Sequence, residues 1–154
     1  MANVNVGTVE VHVVARDRGD WRVLALQRSL ATRCPLSWEV VHGRIEAGEE
    51  PEDAAVREVK EETGLAVQRL YNVTVTPFYL HRTHVVELSV VFAAFVDLSA
   101  RITHGDEHSD HEWLDASSAL TRLFWPAERA NLRRVLDLFA TGDGGAAEDV
   151  LRVR

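Results

Sequence analysis

Glu58, Glu61 and Glu62 stand at spacings of three and four residues, which on an α-helix brings their carboxylates onto one face. Like charges this close destabilise an isolated helix by about 0.2–0.5 kcal/mol per pair, and Lys60 projects from another face. Arg57 reaches Glu61 one turn further on, which still leaves surplus negative charge. Two surroundings satisfy such a cluster: water around a solvated helix face, or a divalent cation. Hard oxygen ligands in this number suit Mg²⁺ or Mn²⁺, which bind one or two carboxylates together with substrate phosphates. Glu49 precedes the helix and could fold back toward the same face. Gly43 and Gly48 bracket a loop able to take positive φ and to bring backbone N–H groups close to a phosphate.

Those side chains need a scaffold, and the chain supplies signals for one. Pro51 to Thr63 reads as a helix: Pro51 suits the first helical position, Glu52 and Asp53 favour the positive end of the dipole, and Gly64 stops it. Val9, Val11 and Val13 alternate with Glu10, His12 and Val14, the pattern of a half-buried strand. Asp17-Arg18-Gly19-Asp20 is turn chemistry, and residues 21 to 27 form the hairpin partner. Residues 28 to 37 read as a loop, 38 to 41 as a short strand, 67 to 75 and 85 to 96 as strands, and 112 to 114 as another short one. Val86, Leu88, Val90, Phe92 and Ala94 share one strand face. Pro126 to Ala140 reads as a helix with Leu132, Val135, Leu136 and Phe139 as its core stripe. A mixed sheet covered by helices follows, in an α/β chain. Residues 1–140 form one domain, and 141–154, opening on Thr-Gly-Asp-Gly-Gly, read as a flexible tail.

A chain of 154 residues, 46% of them hydrophobic, can bury a core, which excludes disorder as a starting point. One cysteine, Cys34, cannot form an internal disulfide, and residues 1–14 lack the pattern of a secretory signal, so the expected compartment is the cytoplasm. No run suits a membrane span. The net charge of −7 argues against gripping duplex nucleic acid through its phosphates. An acidic chain can still bind a polyphosphate if cations intervene. For assembly, a homodimer is the default expectation.

Residues 43 to 65 as a whole resemble the signature of the Nudix hydrolases: Gly43, Glu49, Arg57, Glu58, Val59, Glu61, Glu62, Gly64 and Leu65 match its nine fixed positions. The resemblance implies an α/β/α sandwich and metal-dependent cleavage of a diphosphate bond. It makes Glu58 and Glu62 the principal metal ligands, Glu61 a third, Arg57 the group that orients them, and Glu49 a support. Gly43, Glu49, Arg28 and His42 become the candidate substrate contacts. His42 departs from the pattern, since many relatives carry Pro-Gly-Gly where this chain has Val41-His42-Gly43. That places an imidazole either near the phosphates or on the loop surface.

Residues 105 to 115 are similar to a stretch in dihydroneopterin triphosphate and dNTP pyrophosphohydrolases of the family, where a glutamate before a Trp-Leu-Asp strand reaches the metal. Glu107 is the matching ligand and Glu112 the second choice; Gln27-Arg28 is also like those relatives. The implied substrate is a nucleotide or pteridine triphosphate. A dinucleoside polyphosphate or nucleotide sugar is the alternative, and a nucleotide-sensing module without turnover is the alternative of another class. His104, His108 and His111 have spacings open to a zinc site. Trp113, Trp125 and Phe139 read as core, Cys34 as an inert loop thiol, and Phe78 and Tyr79 as stacking candidates.

Overall fold

The computed structural model describes residues 1–154 and contains seven strands in one sheet. They are β1 (Asn3–Asp17), β2 (Asp20–Arg28), β3 (Trp38–Glu39), β4 (Val41–Arg44), β5 (Arg69–Leu80), β6 (Val85–Phe95) and β7 (His108–Leu114). Four helices accompany them: α1 (Pro51–Thr63), α2 (Ala116–Arg122), α3 (Pro126–Leu138) and α4 (Glu148–Leu151). β1 runs parallel to β6 and antiparallel to β2, and β5 closes the far edge against β6. No helix is long and apolar enough to cross a membrane.

The sheet is covered on both faces, as the α/β/α expectation requires. Ala54, Ala55 and Val59 of α1 pack against Val9, Val11, Val13 and Phe92 on one side. Ala119 and Leu123 from α2 and its end, with Leu132, Val135 and Phe139 from α3 and its end, pack against Val14, Val23 and Tyr71 on the other. Each cluster removes apolar surface from water at about 25 cal/mol per Å², the main favourable term in holding the three layers together.

The alternation in β1 leads to a correction. Its second face is not solvated: Glu10 is 5% exposed and His12 is fully buried, because α3 lies over them and Asn131 donates to Glu10 Oε1 at 2.9 Å. Polar residues that alternate in a strand thus face a second buried layer here rather than water.

The predicted hairpin is present, with Asp17 paired to Asp20 and with Arg18 and Gly19 both at positive φ. Residues 38 to 41, expected as one short strand, are divided. Glu39 pairs with Leu26 of β2, whereas Val41 pairs with Val11 of β1. β3 and β4 therefore fill the opening where β1 and β2 diverge, and this is what brings Glu39, His42 and Gly43 to one place in the sheet.

Helix α1 occupies the predicted span. Its end is fixed by Gly64 at φ +74°, whose N–H donates to the Lys60 carbonyl. The seven-residue α2 has no counterpart in the sequence reading. Its start is capped by Asp115, which accepts from the Ser118 backbone N–H at 2.9 Å. Beyond Ala140 the chain forms a short 3₁₀ turn and α4, and Tyr71 donates to Glu148 at 2.8 Å. Val153 N–H donates to the Leu70 carbonyl, so this segment lies against β5.

Candidate active site

A cavity of about 920 Å³ opens between α1, the β1–β4 junction, β5 and the start of α3. Gly43, Arg57, Glu58, Glu61, Glu62 and Glu107 all line it. Glu46 and Arg44 add further polar surface at the loop before α1.

Arg57 organises the acidic face. Its Nε and one terminal nitrogen donate to the two Glu49 oxygens at 2.9 Å each, a bidentate pair. The other terminal nitrogen donates to Glu58 at 2.8 Å and to Glu61 at 3.2 Å, and the Arg44 carbonyl accepts a further bond at 2.8 Å. Glu49 also caps its own loop by accepting from the Glu46 N–H at 2.9 Å. The Arg57 guanidinium holds the Glu49 carboxyl down to about 2, so Glu49 stays ionised and fixed. One side chain thereby ties the loop to the helix and orients the carboxylates.

Glu62 is left out of this network. Its Oε2 is buried and has no hydrogen-bond partner. Burial pushes its carboxyl up to about 9, opposed by His42 and reinforced by the negative charges of Glu58, Glu39 and Glu107. Burial likewise raises Glu58, against the pull of Arg57. A buried oxygen without a donor, set among other carboxylates, calls for a cation. The donor set is all oxygen, which fits Mg²⁺ or Mn²⁺.

Gly43 serves this site in a way its flexibility does not explain. Unlike Gly48, at φ +80°, it is absent from the positive-φ residues. A Cβ at Gly43 would collide with Cγ, Cδ and Oε1 of Glu58. The missing side chain is the space into which the Glu58 carboxylate packs.

The structure separates the two outlying candidates. Glu107 lines the cavity, and the Ser29 N–H holds its backbone by donating to its carbonyl at 2.9 Å. Glu112 lies outside and accepts from Arg122 at 2.9 Å in an exposed pair.

Arg28, a candidate substrate contact, is placed elsewhere: its guanidinium donates to Glu39 at 2.8 Å and to the Arg33 carbonyl, and it does not line the cavity. His42 does line it, and it neither sits loose on the surface nor stands apart from other side chains. Its Nε2 is 3.0 Å from Glu128 and 3.9 Å from Glu10, and its Nδ1 is 3.7 Å from Glu39. Burial opposes its charge, but Glu128 and Glu39 outweigh this and raise its pKa well above the ordinary histidine value.

His104, His108 and His111 do not converge on a common point, and the last two lie in β7. His108 turns inward to Glu39 at 3.1 Å, while His104 and His111 stack with ring centroids 5.3 Å apart. Cys34 is exposed and outside the cavity. Trp125 corrects the core assignment: it is 40% exposed and lines the cavity, because Pro126 starts α3 and leaves the preceding ring at the rim. Phe78 also lines the cavity, but Tyr79 bonds His84 outside it. Trp113 is partly buried and Phe139 fully buried, as core.

The sequence reading passed over Glu10, Glu39, Glu128 and Asn131. A Glu in a strand pattern at 10 and 39, and one in the first turn of a helix at 128, each read as an ordinary polar position. Only the packing of α3 on the β1–β4 junction reveals them as a buried group.

A family model described as NUDIX domain matches residues 7–136. An octanoyltransferase from Myxococcus xanthus is 36% identical over 129 residues, covering 82% of this chain and 36% of that protein. An NAD-capped RNA hydrolase, NudC, from Pseudomonas aeruginosa is 32% identical over 141 residues, covering 90% of this chain and 46% of that protein. The chain thus spans between about a third and a half of the length of these curated relatives. Among solved structures, the dihydroneopterin triphosphate pyrophosphohydrolase of E. coli matches with a TM-score of 0.66 and 26% identity, covering 87% of this chain and 97% of that one.

Proposed function

The chain belongs to the Nudix family, and on that premise we propose that it is a pyrophosphohydrolase dependent on Mg²⁺ or Mn²⁺. Its substrate is a nucleoside or pteridine triphosphate, cut to a monophosphate and pyrophosphate. The observation that carries this reading is the Glu62 carboxyl, buried with an unpartnered oxygen among Glu58, Glu39 and Glu107. A structural acidic face would turn that group to water.

Glu58, Glu62 and Glu107 would hold the ions, with the more exposed Glu61 at the mouth of the site. When bound, such ions neutralise phosphate oxygens and lower the pKa of a coordinated water. The chain's own residues do the positioning. Arg57 keeps Glu58 and Glu49 in fixed orientations, and Gly43 leaves the room that Glu58 needs. Phe78 and Trp125 offer half-exposed rings to a planar base or pterin. The cavity contains no cysteine or lysine, so it offers neither a thiol nor an amine as an acyl-carrying nucleophile.

A cavity of about 920 Å³ lies near the upper end of the usual ~300–1,000 Å³ range for small-molecule sites. That favours, as a second reading, a longer substrate such as a dinucleoside polyphosphate or a nucleotide sugar. The retention of Arg57, Glu58, Glu61 and Glu62 together argues against a sensing module without turnover. A substrate panel with Mg²⁺, scoring pyrophosphate against orthophosphate release, tests the proposal. Pyrophosphate from a triphosphate supports it; no release from any diphosphate-containing compound refutes it.

A further inference from the structure

The cavity contains a second group of ligand-type side chains that the proposed hydrolysis does not use. Glu39 comes from β3, His42 from β4 and Glu128 from α3. Each offers one nitrogen or oxygen within 4.8 Å of those of the other two. Glu39 and Glu128 are 4% and 1% exposed.

In both glutamates one oxygen is already engaged. Glu39 Oε1 accepts from Arg28 at 2.8 Å and lies 3.1 Å from His108 Nε2. Glu128 Oε1 accepts from the Val40 N–H at 3.3 Å and faces His42 Nε2 at 3.0 Å. The second oxygens are different. Glu39 Oε2 stands 3.7 Å from His42 Nδ1, beyond hydrogen-bond reach. Glu128 Oε2 is buried with no partner at all. Glu10 adds a third carboxylate, 3.9 Å from His42 Nε2. One imidazole thus faces three buried carboxylates, and a fully buried acceptor is left without a donor, an arrangement that native structures rarely leave uncompensated.

We propose that Glu39, His42 and Glu128 form a second cation site, separate from the one on α1, that takes a first-row transition-metal ion such as Mn²⁺ or Zn²⁺. The donor set decides the class of ion. Mg²⁺ and Ca²⁺ prefer oxygen alone, whereas an imidazole with two carboxylates suits a borderline divalent ion. Two carboxylates balance its charge. Arg28, His108 and the Val40 N–H hold the carboxylates from behind, the part that outer-shell donors play at metal sites. Because its ligands come from two strands and a helix, the ion fastens the start of α3 to the β3–β4 segment.

The ligands proposed on α1 are all oxygen, so a histidine nitrogen on the ion reports this second site alone. The test is pulsed electron paramagnetic resonance on the full chain loaded with Mn²⁺. Nitrogen modulation is expected in the unaltered protein and in Glu62→Gln, and it should change to the ¹⁵N pattern when histidine is isotopically labelled. It should disappear in His42→Gln. Melting of Glu62→Gln should still shift upward with Mn²⁺ or Zn²⁺. Absence of nitrogen modulation at saturating Mn²⁺, or its persistence in His42→Gln, overturns the proposal. An oxygen-only signal that vanishes in Glu62→Gln would overturn it too while leaving the α1 site standing.

Discussion

Replacing Glu62 by Gln removes a charge and keeps the shape, and the structure fixes the direction of the result. The folded carboxyl, pushed up to about 9 chiefly by burial, binds its proton more tightly than an unfolded glutamate with its ordinary value of 4.5. Its contribution to stability is therefore fully present below about pH 4.5 and is lost as pH rises toward about 9. At pH 7 the loss covers about 2.5 pH units at ~1.4 kcal/mol each, or at most about 3.5 kcal/mol, less whatever water reaching the part-exposed group relieves. Gln does not titrate and escapes that loss. In EDTA, Glu62→Gln should melt higher than the unaltered protein by up to roughly 7–14 °C at pH 7, at about 2–4 °C per kcal/mol for a chain of this size. The gap should be small at pH 5 and widen toward pH 9. Mg²⁺, which the site at Glu39, His42 and Glu128 does not favour, should reverse the order by stabilising chiefly the protein that has the carboxylate. Turnover in the variant should fall by at least a hundredfold. Equal melting of the two proteins at pH 8 in EDTA, with an equal response to Mg²⁺, would refute the reasoning.

Glu107→Gln should weaken Mn²⁺ binding and turnover by tenfold or more, whereas Glu112→Gln should lose only an exposed pair with Arg122 and change stability by less than about 1 kcal/mol; Mn²⁺ titration of both separates them, and the reverse order would contradict the assignment. Arg57→Lys keeps the charge but loses the bidentate grip on Glu49, so turnover should fall about 10–100-fold with the fold intact by circular dichroism. Gly43→Ala places a methyl group where Glu58 lies and should lower metal affinity more than it lowers the melting temperature; metal affinity equal to that of the unaltered chain would show that the space is not needed.

What could be read from the sequence was local in origin. Pro51 and Gly64 punctuate α1 by constraints within a few residues, and the spacing of Glu58, Glu61 and Glu62 puts them on one face whatever surrounds the helix. The hairpin at Arg18-Gly19 is legible for the same reason. Groups assembled over long range were not legible. Glu10, Glu39 and Glu128 meet only because β3 and β4 fill the divergence of β1 and β2 and α3 crosses above it. Alternation in β1 cannot distinguish a polar residue facing water from one facing a buried Asn131. Trp125 reads as core in the sequence, yet its place just before Pro126 leaves the ring at the cavity rim. Arg28 reads as a candidate substrate contact in the sequence, and Glu39 takes it instead.

The proposed hydrolysis requires α1 and Glu107 to present carboxylates to divalent ions that face a diphosphate. Crystals soaked with Mn²⁺ and a non-hydrolysable triphosphate analogue, recorded at the manganese absorption edge, examine that arrangement directly. Anomalous peaks bounded by Glu58, Glu62 and Glu107, with the analogue's phosphates against them, are the expected result. Density for the analogue elsewhere, with no manganese beside these glutamates, would contradict it.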